Sequence, residues 1–311
     1  MWIVLSLISM AGYLISELSG KDFLLNKNNE NRTVEILIIR FIVLAIVGLI
    51  VWVFNLSESG LDPITLMKTN PATLISAVFS VLYIVSFILS ENKIPVAIAS
   101  PFNNTSGIIV FIILFVIFII TGADVGFDLS HIGLKNIAIV LMLVSICIVI
   151  LDEKRTTRED EKEYKTFFLG FVYALLSSLF DAFDSIALAL LVAFSVVGEY
   201  DMLMVYGAIS IVFAIILYIY YFVKNGKPCN LLDFKNEKKA YVSSIGETIG
   251  DIFYILAVGT QPLFSPLIIC SYCAFVPIFS NILLKEKIST TKYVAVGMLI
   301  ISIILFSVAE M

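Results

Sequence analysis

Residues 241–261 read YVSSIGETIGDIFYILAVGTQ, and the reading of this stretch decides the fold. It is long and apolar enough to cross a bilayer as a helix, which takes about 20 residues, yet it carries Glu247 and Asp251 near its middle. Spaced i and i+4, both carboxylates project from one helical face, and Ser244 and Tyr254 extend the same stripe. Gly246 and Gly250 make a second stripe, small-xxx-small, along which a neighbouring helix can approach closely. A carboxylate at bilayer depth costs about 2.5–3.5 kcal/mol on insertion scales, so both are expected to face a cavity or a partner. The stretch therefore reads as one wall of a polar site inside a membrane bundle.

The rest of the chain agrees with a membrane setting. Of 311 residues 60% are hydrophobic and 14% charged, with a mean hydropathy of +1.02; soluble domains carry roughly 25% charged residues. An all-α integral membrane protein is expected, with the lipid bilayer as its surroundings and no basic footprint for nucleic acid. Four cysteines make no disulfide framework, and the N-terminus, MWIVLSLISM, lacks the basic residues that open a signal peptide and reads as a retained first helix. Apolar runs predict ten spans: 2–18, 34–54, 72–91, 95–120, 132–151, 167–191, 203–223, 241–258, 264–284 and 291–308. The most charged connection, 152–166, divides them into two five-helix halves, 1–151 and 167–311.

The halves are related. An offset of 171 superposes Tyr83 on Tyr254, Ile84 on Ile255, Pro95 on Pro266, Ile98 on Ile269 and Ser100 on Ser271. Because five is odd, two such halves run in opposite directions, the inverted-repeat plan of many secondary transporters, with a binding site at the midplane. Ser76 and Ser80 then stand where Glu247 and Asp251 do. Seventeen of the 20 Lys and Arg fall on the odd-numbered connections and two on the others, with Arg40 inside a span. That bias places the odd connections in the cytoplasm and both termini outside.

Candidate site residues follow from charge and polarity at bilayer depth. The sixth span carries Ser177, Asp181 and Asp184 on one face, and packing beside the eighth would bring four carboxylates together. Like charges in low dielectric resist joint ionisation, which suits a proton relay or a cationic substrate; the alternative is that Asp181 and Asp184 sit near a helix end or pair with Arg40. Asn103, Asn104 and Gln261 either hydrogen-bond a polar solute or satisfy a helix broken at Pro101, with matching kinks at Pro266 and Pro277. Tyr83, Tyr254 and Tyr272 either line the path, stacking on a cation, or pack. Glu17 and Arg40 are expected to form a structural ion pair. Cys270-x-x-Cys273 lies in an apolar helix with His131, the sole histidine, far off in a connection, so no metal site is expected. No P-loop, His-Glu-x-x-His or Gly-x-Ser-x-Gly pattern occurs, so no enzyme and no cofactor are expected.

The segment 265–306, SPLIICSYCAFVPIFSNILLKEKISTTKYVAVGMLIISIILF, resembles the ninth and tenth helices of the drug/metabolite transporter superfamily, EamA type. Pro277, Phe279, Glu286 and Gly297 fall at the places of its pattern, and Arg40 is similarly placed to an arginine near the start of the family's second helix. The first half departs by lacking a counterpart of Glu286 and by a longer connection, TGADVGFDLSHIG. The resemblance implies two EamA-like repeats, a cavity lined by helices 1, 3, 4, 6, 8 and 9, and both termini in the cytoplasm, opposite to the charge bias. It implies a multi-pass cell-membrane transporter of a small-molecule substrate. The excess of acids over Arg40 favours a cationic or zwitterionic solute. The alternative from another class is a non-transporting receptor or assembly component.

Overall fold

The computed structural model describes the chain except residues 26–29, 123–131, 157–160, 194–195, 230, 232, 263, 286–288 and 310–311. His131 and Glu286 lie outside the described residues. Among the described residues the fold is all-helical: α1 Trp2–Leu25, α2 Glu30–Val53, α3 Pro63–Thr69, α4 Pro71–Glu91, α5 Val96–Asn103, α6 Ser106–Thr121, α7 Ile132–Thr156, α8 Glu161–Ala193, α9 Glu199–Asn225, α10 Phe234–Thr260, α11 Ser265–Cys270, α12 Val276–Leu284 and α13 Thr290–Ala309. A single 3₁₀ turn, Ser271–Ala274, joins α11 to α12. Among the described residues eight helical stretches are long and apolar enough to cross a membrane, and two shorter apolar ones lie at Gly133–Ser145 and Tyr293–Leu305. Helix fills most of the charged connection 152–166, since α7 runs to Thr156 and α8 begins at Glu161.

Local chemistry sets the helix ends. Asp62 caps α3, its side chain accepting from the amides of Ile64 and Thr65, with Pro63 at the first helical position, where its missing N–H costs nothing. Gly226 ends α9 at φ +64°, a left-handed conformation that a Cβ disfavours. Pro101 sits inside α5, and the helix stops two residues later before restarting as α6. The expected second break is present at 271–275, between α11 and α12.

The faces are those of a membrane bundle. On α9, Val212, Ile215, Ile216, Ile219 and Val223 are exposed, while Ser210 and Met202–Tyr206 are buried. A water-soluble helix would not present such an apolar row while burying a serine. The main contacts pair α1 with α10, α4 with α8, α2 with α9 and α7 with α13. Two of these rest on glycine. A Cβ on Gly12 would lie 2.7 Å from both Gly246 O and Gly250 N, and one on Gly48 would lie 2.7 Å from Gly207 Cα. The Gly246/Gly250 stripe is thus where α1 meets α10 backbone to backbone.

Candidate functional site

The site lies where α1, α2, α4, α8 and α10 enclose the middle of the bundle. From α10, Glu247 is buried and Asp251 half-buried. Asp251 Oδ1 accepts from the Tyr13 hydroxyl at 2.9 Å. Arg40, from α2, reaches two other helices, α1 and α10, with one nitrogen: Nη2 donates to Ser16 Oγ at 2.7 Å and Ser243 Oγ at 3.1 Å, and lies 3.5 Å from Glu247 Oε2. Ser244, on the sequence stripe of the acids, turns back to the Ala240 carbonyl of its own helix at 2.8 Å.

This arrangement corrects the expected pairing of Arg40 with Glu17. Glu17 follows Ser16 by one residue, a turn of about 100° around α1, and so faces the 3₁₀ segment, where Oε1 accepts from the Tyr272 hydroxyl. Arg40 pairs with Glu247 instead.

From α8, Asp184 is buried and accepts from Ser76 Oγ at 2.5 Å and from the Tyr206 hydroxyl at 2.6 Å. Asp181 is half-buried and accepts from the Ser106 hydroxyl at the start of α6. The four carboxylates come within electrostatic reach: Asp251 of Glu247 and Asp184, and Asp181 of Glu247 and Asp184. The other candidates sit around them. The Tyr254 hydroxyl donates to Ser185 Oγ at 2.6 Å, tying α10 to α8. Ser177 Oγ donates to Asn103 Oδ1 and also lies 3.3 Å from the Tyr83 carbonyl. Tyr83 is buried, its ring stacked on Phe87. Asn104 Nδ2 donates to the Ser100 carbonyl at 2.8 Å, satisfying the broken helix internally. Gln261 caps the end of α10, buried, with Oε1 lacking a hydrogen-bond partner among the described residues. Cys270 and Cys273 are buried free thiols, and Ser106 Oγ lies 3.6 Å from Cys270 Sγ.

Three residues were missed in the sequence. Tyr13 holds Asp251. Glu91 is fully buried at the end of α4, and Lys21 donates to the carbonyls of Glu91 at 2.5 Å and Ile94 at 2.9 Å. A usable signal for Tyr13 was the polar stripe of α1, Ser6, Ser9, Tyr13, Ser16 and Gly20, at helical spacing. Glu91 gave no comparable signal, because a charge at the end of an apolar run ordinarily marks the water boundary.

Exposure divides the site. Ser80, Asp181, Asp251 and Tyr254 are half-buried, whereas Ser16, Glu17, Arg40, Ser90, Glu91, Ser243 and Glu247 are closed off. Partial exposure is thus confined to the Asp251 side, where Ser76, Asp184 and Tyr206 are nonetheless buried, and the Arg40 side is buried throughout.

No family model matches this chain, and no curated protein matches it. Twenty chains among solved structures match; one of them, a crystal structure of a protein, does so with a TM-score of 0.60 at 13% identity, over 98% of this chain and 96% of that chain. That similarity is one of fold.

Proposed function

We propose that this chain is a secondary transporter of the drug/metabolite transporter superfamily, EamA type. It moves a small cationic or zwitterionic metabolite across the cell membrane by alternating access. The observation that carries the reading is the group Asp181, Asp184, Glu247 and Asp251, drawn from two apolar helices into the bundle interior and held there by hydroxyls and one guanidinium. Charges at this depth are expensive, and a passive scaffold gains nothing from them.

The packing supports ten spans in two inverted five-helix halves. The 171-residue offset carries α2 onto α9 to within two residues at each end and brings Asn104, between α5 and α6, onto Phe275, between the 3₁₀ turn and α12. It also exchanges the two heaviest contacts, turning α1 against α10 into α8 against α4, and α2–α9 pairs a helix with its own counterpart, while α7–α13 pairs the last helix of each half at a smaller offset. A twofold relation between halves requires this pattern of exchange. Closure on one side with half-buried acids on the other is the asymmetry that an alternating-access carrier has in either of its end states.

Asp251 is the principal substrate or proton carrier in this reading, with Glu247 held by Arg40 beside it. Asp251→Asn abolishes flux of amines, amino acids or nucleosides in reconstituted vesicles and leaves protein abundance intact. Wild-type flux in that variant would overturn the role of Asp251. Absence of flux by the wild type across the whole panel would favour a receptor or assembly component.

A further inference from the structure

A second group of charges lies deeper than Asp251. Glu91 is fully buried, and neither of its carboxylate oxygens has a hydrogen-bond partner among the described residues. Glu17 approaches it from α1, also fully buried, with the Tyr272 hydroxyl donating to Oε1 and the Ser100 hydroxyl beside the carboxylate, while Oε2 makes no hydrogen bond of good geometry among the described residues. Glu247 approaches from α10 with Oε1 likewise without one. The cations within electrostatic reach of Glu91 are Arg40 from α2 and Lys21 from α1. Tyr272 from the 3₁₀ turn and Tyr83 on α4 contribute phenols, which are neutral.

Three carboxylates against two cations leave an excess negative charge where no member is more than 6% exposed. Any other acid paired with Lys21 would only enlarge that excess. An uncompensated buried charge is costly, and a carboxyl group relieves it most directly by taking up a proton. A proton also supplies the donor that a neighbouring unpartnered oxygen lacks, and it needs no extra volume. We propose that Glu17 and Glu91 hold one proton between them, forming a proton-binding site separate from Asp251. Glu91 Oε2 packs against α1 at Gly20, three residues from Glu17, and carboxylates within electrostatic reach of each other commonly resolve their repulsion in this way. Its use as the coupling proton rests on the transporter reading above, whereas the binding itself does not.

Infrared difference spectroscopy of the purified full chain in lipid, at neutral pH, tests the proposal through the carbonyl stretch of a protonated carboxyl group. The wild type shows such a band. Glu91→Gln and Glu17→Gln each remove it, because three carboxylates become two and the remaining acid ionises. Asp251→Asn leaves it in place. Glu91→Asp, kept as a second variant should the glutamine forms fail to fold, retains the band at a shifted frequency. A band unchanged in the folded glutamine variants, or unshifted in Glu91→Asp, overturns the site. Loss of the band when potassium in the buffer is replaced by sodium also overturns it, by showing that a metal cation takes the place. An intact band in a protein that moves no solute defeats the transporter reading and leaves the proton site standing.

Discussion

Arg40 shows how much one residue can hold together in a low-dielectric core. Its Nη2 reaches Ser16 on α1 and Ser243 and Glu247 on α10, so removing it breaks contacts between three helices and leaves Glu247 buried without its cation. Arg40→Ala should destabilise the protein by about 3–5 kcal/mol, read as a lower unfolding temperature in detergent. The double variant Arg40→Ala/Glu247→Gln should recover part of that loss, since no carboxylate is then left unpaired. Cys229, in the connection between α9 and α10, offers a different test. Burial, then Glu35 and Glu237, push its thiol up to about 12, so thiolate is scarce at neutral pH and alkylation there should be slow until the protein is unfolded. The sequence identified Arg40 and Glu247 as misplaced charges but not as partners, because which of two adjacent α1 positions faces α2 depends on the rotation of α1 in the bundle.

The α1–α10 pair turns on glycine at the scale of elements. Gly12→Ala would set a Cβ 2.7 Å from backbone atoms of Gly246 and Gly250. Backbone cannot swing aside as a side chain does, so a cost of about 1–3 kcal/mol or more is expected. Gly297→Ala is the control: nothing lies within 4 Å of its Cβ position, and the change should be neutral or stabilising by up to about 1 kcal/mol. Both follow from thermal unfolding of the purified variants. The α3 cap adds a pH dependence. The Thr65 hydroxyl, and then its amide, hold the Asp62 carboxyl below its ordinary range. A depressed folded value stabilises above the unfolded pKa and is lost as pH falls through the folded one. The stability gap between wild type and Asp62→Ala should therefore shrink on acidification. The helix breaks near Pro101 and at 271–275 were legible, because proline removes a donor wherever it lies in a helix. The side-chain partners around the first break were not, since Ser177, which donates to Asn103, and Asp181, which accepts from Ser106, both come from the distant α8.

The bundle as a whole makes a sided prediction. In a background without native cysteines, Ser80→Cys stands at a half-buried position on the Asp251 side and Ser90→Cys, at 0% exposure, on the sealed side. A membrane-impermeant thiol reagent should label the first rapidly, from the face opposite the basic connections, and the second slowly or not at all. Equal labelling would mean that the sealed side opens freely. Labelling of Ser80→Cys from the basic face would reverse the orientation inferred from Lys and Arg.

The sequence by itself determined the helical, membrane-embedded class, most span limits, the breaks and the glycine stripe, because hydropathy and backbone chemistry are local properties that each segment carries wherever it packs. Tertiary structure alone decided which charges meet. Arg40 went to Glu247 rather than Glu17, Tyr13 came to Asp251, and Glu91 was drawn inside. Those outcomes depend on rotations of whole helices fixed by contacts between distant segments, and a residue's spacing along its own helix does not encode them. The stretch 241–261 is therefore sharper than it first read: Asp251 is half-buried beside Tyr13, and Glu247, four residues away, is buried against Arg40.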